Sequence, residues 1–279
     1  MKYTFLGAQD LAMCPDGSFI VSDKLDYRLL KFDRGGRLVA QTGRRGDGPG
    51  EFRGPGPLAV REKAVAVADF ASHRIHLFTS DLAYVRSFSA PGAVLDLAFD
   101  THGSLWAAIL QNASRDNLVK LTSEGRVEAS ISLRHATSDF FDNMFLFDID
   151  AQSTIVVLYR FVNRVEMWKT DGSFVRSFEI SGFPAKAPRK RLKENLTVPE
   201  DDIFSALCLD NAETFTVLTG EYTVSPRREV FEISKTGIPV RLAVLPAKSN
   251  QVIHGPGNRV LSIENDRTTL TLYRLNWQR

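Results

Sequence analysis

The stretch Phe32-Asp33-Arg34-Gly35-Gly36 joins a short hydrophobic run to a polar turn with two glycines, and a second run follows it. The same order of a hydrophobic or aromatic residue and a polar turn recurs at Phe78-Thr79-Ser80-Asp81, Leu121-Thr122-Ser123-Glu124-Gly125, Trp168-Lys169-Thr170-Asp171-Gly172, Ile233-Ser234-Lys235-Thr236-Gly237 and Tyr273-Arg274. The six copies begin 46, 43, 47, 65 and 40 residues apart. Spacings of about 40 to 50 residues are typical of repeated supersecondary units. The repeat therefore predicts six units.

Each unit is predicted to consist of β-strands, because hydrophobic and polar residues alternate with a period of two and helical periodicity is weak. One run ahead of each strand–turn motif is expected to be the innermost strand of its unit: Asp10–Met13, Pro57–Val60, Leu95–Phe99, Leu146–Ile149, Ser205–Leu209 and Gln251–Ile253. A chain of short strands must protect its sheet edges, which repetition of small sheets about an axis achieves. The sequence thus predicts an all-β, six-bladed β-propeller with four-stranded antiparallel blades, as a single domain over residues 1–279.

The ends of the chain are predicted to share the last blade. That unit, from about Gln251 to Leu275, holds three runs, while Tyr3-Thr4-Phe5-Leu6 lies ahead of the first predicted inner strand. Pairing of the N- and C-terminal strands would close the ring and remove its last open edge. The one long spacing is explained by residues 183–202, rich in proline and charge, which we predict to be a loop insertion between blades 4 and 5.

Composition narrows the class of protein. The chain carries 35 Lys and Arg against 33 Asp and Glu, so the whole-molecule field does not generally favour nucleic acid or an anionic membrane. Cys14 and Cys208 lie in apolar runs without metal-type spacing and are predicted to pack in the core. We find neither a membrane-spanning apolar run nor a signal peptide in the chain as given. A soluble monomer is therefore predicted, cytoplasmic unless a leader has been removed, in which case periplasmic or secreted.

Two segments resemble a known repeat. The segment Gly43-Arg44-Arg45-Gly46-Asp47-Gly48-Pro49-Gly50-Glu51-Phe52, followed by Pro55, resembles the glycine-rich Gly-Glu-Phe signature of the NHL repeat. The segment Asp69-Phe70-Ala71-Ser72-His73-Arg74-Ile75 resembles its second element, and Asp23 with Arg28 repeats the spacing. Clear motifs cover only about residues 15 to 80. The resemblance implies a six-bladed propeller of the bacterial NHL or TolB-like type.

Both motifs also have a structural interpretation. Glycines and Pro49 suit a connection between blades that needs positive φ angles and close backbone approach, with Phe52 filling the gap. Asp69 can accept turn N–H groups or pair with Arg74. The tripeptide Arg45-Gly46-Asp47 matches an integrin-binding motif in letters, and a blade connection explains it better.

Metal chemistry is the enzymatic alternative. A zinc site of three histidines, as in some propeller lyases, is not favoured, because His73, His76, His102, His135 and His254 scatter over the predicted strand order. Calcium at the channel mouth, as in gluconolactonase-like hydrolases, could use oxygens of Asp142, Asn163 and Glu221, with Asp139 and Asn143 nearby. Loops are normally rich in such residues, so solvated loops are the favoured explanation. We predict no cofactor, with calcium as the alternative.

The predicted function is a non-enzymatic binding or scaffolding module for a protein, a peptide or a small polar ligand. Its binding face would carry the residue 43–57 connection and the insertion over the central funnel. The alternatives are a calcium- or zinc-dependent hydrolase or lyase and an RNA-binding NHL propeller, which net charge disfavours. Candidate ligand-binding residues are cationic or aromatic side chains on predicted loops: Tyr27, Arg45, Arg115, Phe140, Phe161 and Tyr222.

Overall fold

The computed structural model describes residues 3–110, 118–134, 137, 139–193, 196–209, 213–220, 227–255 and 258–278. Two compact units divide the chain, Met1–Ser132 with Gln251–Arg274 and Leu133–Asn250 with Leu275–Arg279. The predicted single domain of residues 1–279 accordingly stays a prediction. No helix in the described ranges is long and apolar enough to cross a membrane.

The first unit contains four antiparallel sheets. The first three have four strands each: β1 Ala8–Met13, β2 Phe19–Asp23, β3 Arg28–Phe32 and β4 Leu38–Thr42; β5 Pro55–Arg61, β6 Ala64–Asp69, β7 Arg74–Thr79 and β8 Tyr84–Ser89; β9 Ala93–Phe99, β10 Leu105–Leu110, β11 Leu118–Leu121 and β12 Val127–Ile131. The fourth sheet has three strands, β23 Ser249–Gly255, β24 Arg259–Glu264 and β25 Leu270–Arg274. Strands follow one another through the sheet in chain order.

The second unit contains two four-stranded antiparallel sheets and a separate two-stranded hairpin. The sheets are β13 Phe145–Ile149, β14 Thr154–Tyr159, β15 Val165–Lys169 and β16 Phe174–Phe178, then β19 Phe204–Leu209, β20 Thr214–Thr219, β21 Glu229–Ser234 and β22 Pro239–Val244. The hairpin consists of β17 Arg189–Lys193 and β18 Leu196–Pro199. A single 3₁₀ turn, Phe141–Asn143, precedes β13.

Each of the six runs predicted as an inner strand lies within the first strand of a sheet, β1, β5, β9, β13, β19 or β23. The strand–turn motifs fall where the third strand of each sheet ends. Six sheets in this order are the blades of the predicted fold class, and the all-β, six-bladed β-propeller is confirmed.

Second strands are buried most completely. Every described residue of β2 and β14 is buried, whereas the fourth strands β4 and β12 are mostly exposed. A second strand has ladder partners on both sides and side chains packed over both faces, which requires an uninterrupted apolar run. Phe19-Ile20-Val21 supplies one in β2 and Ile155-Val156-Val157-Leu158 in β14. The gradient from buried to exposed strands explains why the apolar runs were readable in the sequence.

The chain ends meet in the last sheet, though not as a regular strand pair within the described residues. Phe5 N–H donates to Thr268 O at 3.1 Å, and Ala8 N–H donates to Arg267 O at 2.8 Å. The Phe5 ring is fully buried against Phe32, among the apolar side chains of β24 and β25. The N-terminal segment thus contacts the last sheet through two backbone hydrogen bonds and one buried ring, while that sheet has three strands in place of the four predicted.

The insertion is a hairpin where the sequence predicted a loop. β17 and β18 pair from Arg189 with Pro199 to Lys193 with Leu196, with an irregularity between Arg191 and Lys193. The prediction missed these strands because four of the five residues of β17 are cationic and β18 has only four residues, so neither shows the sustained apolar alternation that reveals a half-buried strand. The insertion still contributes no strand to a blade, as predicted.

Candidate functional site

The side chains of the glycine-rich connection, residues 43–57, hold it in place through ring packing, hydrogen bonds and an ion pair. Phe52 is fully buried, with its ring centroid 5.0 Å from that of His76 and 5.8 Å from that of Phe78. The carboxylate of Glu51 accepts the Gly48 N–H at 2.9 Å and binds Arg44. Those two bonds, the Gly48 bond foremost, lower the pKa of Glu51. The segment therefore has the structural role that its composition predicts, with Phe52 filling the gap.

Asp69, the aspartate of the second motif, holds the chain where it enters the sheet of β5 to β8. Asp69 accepts the N–H of Arg53 at 2.7 Å and the turn N–H groups of Ala71 and Ser72 at 3.1 and 3.2 Å. It forms no ion pair with Arg74, whose buried Nε has no hydrogen-bond partner among the described residues. Of the two predicted roles for Asp69, acceptance of turn N–H groups is the one found.

Asp23 repeats this arrangement in the first sheet. Its carboxylate accepts the N–H groups of Leu6 and Gly7, each at 2.8 Å, and that of Asp26 at 3.2 Å. The N-terminal segment thus enters β1 in the way that Arg53 and Gly54 enter β5. A shared spacing in the sequence therefore corresponds to a shared hydrogen-bonding role.

Two predicted ligand-binding residues of the first unit lie together. The guanidinium carbon of Arg45 is 5.7 Å from the centroid of the Tyr27 ring, and Arg45 is exposed while Tyr27 is half-buried. The neighbouring Asp47 is bound by Arg53, with Nε and Oδ1 at 2.5 Å. Asp47 is thereby engaged within the connection, which favours the structural interpretation of Arg45-Gly46-Asp47. Ligand binding by Tyr27 and Arg45 stays a prediction.

In the second unit, Asp142 anchors the insertion. Its Oδ2 accepts a bond from Lys186 Nζ at 2.7 Å, and its Oδ1 accepts one from Arg189 at 2.9 Å. Arg189 also binds Asp139 at 2.5 Å, and that bond lowers the pKa of Asp139. The Asp142 side chain is only 5% exposed. Two carboxylates on the 3₁₀ turn and its approach thus pair with two cations of the insertion.

Asn163 holds the start of the insertion. Its side-chain amide donates to Ile180 O at 2.9 Å and Phe183 O at 3.2 Å, while its Oδ1 accepts the Ile180 N–H at 2.9 Å. Its own N–H donates to Ala185 O at 2.9 Å. All these bonds are directed at backbone, so Asn163 fixes the path of the chain between β16 and the hairpin.

Phe140 and Phe161 flank this anchor. Phe140 is 50% exposed, and its ring lies 5.3 Å from Phe141, which lies 5.8 Å from Phe161. The guanidinium of Arg160 lies 5.6 Å from the Phe161 centroid. The structure therefore brings Phe140, Phe161, Asp142 and Asn163 into one neighbourhood. Arg115, Glu221, Tyr222 and His135 lie outside the described residues, and the roles predicted for them stay predictions.

Among the described residues, the structure does not gather the predicted metal ligands into a cluster that could hold an ion. Within the described ranges, no group of three or more His, Cys, Asp or Glu side chains is placed to hold an ion. Asp142 and Asn163, predicted as calcium ligands with Glu221, direct their oxygens to Lys186, Arg189 and the Ile180 backbone. Glu221 lies outside the described residues, so the calcium site predicted from Asp142, Asn163 and Glu221 stays a prediction.

A hydrogen-bonding role that the sequence analysis missed belongs to Asp10, in β1. Its carboxylate accepts the N–H of Leu58 and that of Leu11, each at 2.8 Å, and the amide of Gln251 at 2.9 Å. Burial raises the pKa of Asp10 to about 6, against the lowering effect of these bonds. Asp10 thereby ties together the first strands of three sheets.

In the second unit, Asp148 joins the first strands of two sheets, since it accepts the N–H groups of Ile149 in β13 at 2.8 Å and of Leu209 in β19 at 3.0 Å. Asp96, in β9, accepts the N–H of Leu97 at 2.9 Å. An aspartate inside an otherwise largely apolar first strand, at Asp10, Asp96 and Asp148, was the signal that could have revealed this role.

His76 is a buried histidine whose ring is unpaired. The side chain is 3% exposed, and neither ring nitrogen has a hydrogen-bond partner among the described residues. Phe52, Phe78 and Tyr84 surround it, with Asp69 and Arg74 as the nearest charges. Burial lowers its pKa below the ordinary value of 6.5. Protonation is thus disfavoured in the folded state, where the imidazole packs as part of the core.

Replacing His76 with phenylalanine is expected to raise the free energy of unfolding by about 1 to 2 kcal/mol, because two unsatisfied buried nitrogens are removed. The unfolded chain binds a proton at His76 more readily than the folded one, so wild-type stability at this site is lost as pH falls below about 6.5. Urea denaturation at pH 8 and pH 5 should therefore show a larger gain at pH 5.

The opposing contribution of Asp10, which favours the folded state as pH falls through about 6, is common to both proteins and cancels in their difference. The exposed His102, replaced by phenylalanine, serves as the control and should leave stability within about 0.5 kcal/mol of wild type. A gain that did not grow toward pH 5 would contradict the assignment of an unpaired, buried His76.

The search of protein-family models finds no match to the chain, and neither does the search of curated proteins. Solved structures do match it along nearly its whole length. A virginiamycin B lyase from Staphylococcus aureus has a TM-score of 0.60 at 11% identity, over 97% of this chain and 85% of that one. The hydrazine synthase of Kuenenia stuttgartiensis has a TM-score of 0.65 at 12% identity, over 98% and 97%. The RRP9 WD40 repeats have a TM-score of 0.63 at 14% identity, over 100% and 84%.

These structures include enzymes as well as a WD40 repeat protein. At such identities the likeness extends to the fold alone. This likeness supports the β-propeller fold that the six sheets indicate. The similarity of residues 43–75 to the NHL repeat remains a resemblance.

Proposed function

We propose that this chain is a non-enzymatic binding module, and that the hairpin β17–β18 presents its main binding surface. The observation that carries the proposal is an exposed hairpin pinned to a buried carboxylate. Lys190, Arg191, Leu192 and Lys193 on β17 are all exposed. Below them, Arg189 and Lys186 bind Asp142, whose side chain is buried.

The anchoring favours binding because it restricts the hairpin before a partner arrives. An ordered binding element loses less conformational entropy on association than a loose loop does. Ala187 is buried among the apolar side chains of the second unit, and Phe183 packs at 5.0 Å from Phe204 and 5.2 Å from Phe231. The N-terminal end of the insertion is thus held by packing and its C-terminal end by Asp202, which binds Arg160 at 2.5 Å, while Lys190 to Lys193 are exposed.

The NHL resemblance supports the same class of function. Its motifs in residues 43–75 take structural roles here, with Phe52 buried and Asp69 bound to backbone. Function in such a scaffold comes from the segments that the blades display. For the metal-dependent hydrolase or lyase, elemental analysis of the purified chain is decisive, since stoichiometric calcium or zinc removed by a chelator would overturn the proposal.

Replacing residues 190–198 with a short glycine-serine linker is expected to leave the melting temperature within a few degrees of wild type, because the hairpin adds no strand to a blade and Arg189 stays available to Asp142. Partners captured by immobilised wild-type chain from a lysate of the source organism are identified by mass spectrometry, purified, and measured by calorimetry. The linker variant should lose that binding.

The matched control changes an exposed aliphatic residue elsewhere. Val85, which is 54% exposed on β8, is replaced by serine and should bind as the wild type does. Retention of full affinity by the linker variant would refute the hairpin as the binding surface.

A further inference from the structure

We infer that the outer edge of β22 is a second binding surface, separate from the hairpin, which takes an extended segment of another protein by strand addition. That segment carries an aromatic residue directly before the residue that pairs with Leu242, and β-branched residues to either side. Residues 275–278 of this chain, here the 275–278 segment, show how such a strand is held. The inference goes beyond the proposed function, because it assigns a different surface.

The 275–278 segment pairs with the outermost strand of its sheet, β22. Leu242 N–H donates to Gln278 O at 3.0 Å, and Gln278 N–H donates to Leu242 O at 2.7 Å, in an antiparallel bridge. Both residues belong to the second unit. Every second residue of an antiparallel strand directs its backbone groups to the same side, so Val244 presents its N–H and C=O to the same edge as Leu242. This edge can therefore pair with a longer strand than the bridge uses.

Trp277 supplies an aromatic contact beside the bridge. The centroid of its ring lies 4.3 Å from the guanidinium carbon of Arg241, which Glu232 also binds. Trp277 stands one residue before the bridge and Ala243 one residue after it, so antiparallel pairing places these two residues opposite each other. A guanidinium over an aromatic face is attracted to the ring. The contact therefore favours an aromatic residue at this position of an added strand.

Two other fourth strands, β8 and β16, differ from β22 at the residues that form this edge. All three strands pair with their neighbours in the same register, with an irregularity at the same place. The residues at corresponding positions are Arg86, Arg176 and Arg241; Ser87, Ser177 and Leu242; Phe88, Phe178 and Ala243; and Ser89, Glu179 and Val244. The edge of β22 is therefore apolar where the other two are polar, and it has a small residue where they have a phenylalanine.

These differences suit an added strand. Proteins commonly protect sheet edges with charged residues, whereas Val240 is 49% exposed and Val244 is 40% exposed on β22. Ala243 leaves room for the ring that β8 and β16 carry within the strand, and Trp277 provides a ring from outside it. The edge thus specifies an added strand with one aromatic residue opposite Ala243 and apolar residues opposite Val240 and Val244.

A longer segment of another protein fits this edge better than a second copy of the chain. The 275–278 segment of a second copy would make the same contacts as the chain's own segment, which has the advantage of a high effective concentration. A segment that reaches Val240 and Val244 adds backbone bonds and apolar contacts to those of the bridge. That gain allows it to displace the 275–278 segment.

The test uses a fluorescein-labelled peptide, Thr-Val-Trp-Gln-Thr-Val-Thr, whose glutamine takes the place of Gln278. Fluorescence anisotropy should show that it binds the full chain. Two control peptides carry alanine in place of the tryptophan, which removes the ring, or proline in place of the glutamine, which removes the paired N–H. Each control should bind about tenfold more weakly or not at all. Equal binding of all three peptides would overturn the inference.

The variant Leu242→Pro should weaken binding of the tryptophan peptide by about tenfold or more, because it removes the N–H that points away from β21. The matched control is Ser87→Pro, at the corresponding position of β8, and it should bind as wild type. The variant Trp277→Ala with Gln278→Pro should bind the peptide several-fold more tightly, because it loosens the competing segment. Wild-type affinity in Leu242→Pro, or weaker binding when the segment is loosened, would contradict the inference.

Amide exchange measured by NMR on the wild-type chain locates the peptide without any substitution. Bound peptide should slow exchange of the Val244 N–H and leave that of Ser89, the corresponding residue of β8, unchanged. Unchanged exchange at Val244 would overturn the inference. So would a dimer of the Trp277→Ala, Gln278→Pro variant in size-exclusion chromatography, since a second copy would then be the occupant.

This surface and the hairpin are tested separately. The linker variant of the hairpin should bind the tryptophan peptide as wild type does, because β22 is unchanged in it. Loss of peptide binding in the linker variant would contradict a separate surface, whereas failure of the peptide to bind any variant would leave the hairpin proposal standing.

Discussion

Replacing Gly43 with alanine is expected to lower the free energy of unfolding by about 3 kcal/mol or more. Gly43 has a φ of +101°, and a Cβ built there would lie 2.6 Å from the Tyr27 carbonyl oxygen and 2.8 Å from the Phe52 ring. A side chain at this position is therefore strained twice, by the left-handed backbone conformation and by contact with two close neighbours. Neither neighbour moves freely, because one is backbone and the other is a fully buried ring.

The matched control is Gly103→Ala. Gly103 also has a positive φ, +82°, but nothing lies within 4 Å of a Cβ there. The variant Gly103→Ala should lower the free energy of unfolding by about 1 kcal/mol, which is the cost of placing a side chain on a left-handed backbone. The difference between the two variants in urea denaturation isolates the close approach in the connection. Equal losses would contradict the packing described for Phe52.

The change Asp142→Asn is expected to loosen the hairpin far more than it destabilises the blades. Asparagine keeps the shape of the side chain but loses the charge that holds Lys186 and Arg189. Removing one partner of a buried, charged hydrogen bond costs about 2 kcal/mol. Because the loss falls on the anchor, it should raise the fraction of time that the hairpin is open.

Limited trypsin digestion measures that opening, since Lys190, Arg191 and Lys193 are cleavage sites within β17. In Asp142→Asn, fragments cut at these residues should appear about tenfold faster. The control Asp81→Asn removes a carboxylate that is 87% exposed and pairs with Lys31; it should leave cleavage unchanged. Cleavage of Asp142→Asn at the wild-type rate would mean that the carboxylate does not pin the hairpin.

The blades could be predicted from the sequence because their signal is local. An apolar run such as Phe19-Ile20-Val21 and a turn such as Asp33-Arg34-Gly35-Gly36 are each readable within a few residues, and their recurrence gives the number of sheets. Phe52 was predicted to fill its connection for the same reason, since glycines on its N-terminal side mark the turn. The connection and the six sheets therefore followed from composition and period.

The candidate site depends on pairs that are distant in the chain. Lys186 and Arg189 follow Asp142 by 44 and 47 residues, so the sequence showed a carboxylate on a loop but not the cations that occupy it. Asn163 was predicted as a ligand because amide oxygens bind calcium, whereas its partners are the backbone of Ile180 and Phe183. His76 could not be recognised as unpaired without the rings around it.

Amide hydrogen exchange across residues 189–193 and 196–199, with and without the purified partner, tests the central claim most directly. The account predicts slower exchange in these residues of β17 and β18 when the partner is bound, and unchanged exchange in the residue 43–57 connection. Slower exchange confined to that connection, with the hairpin amides unaffected, would contradict it.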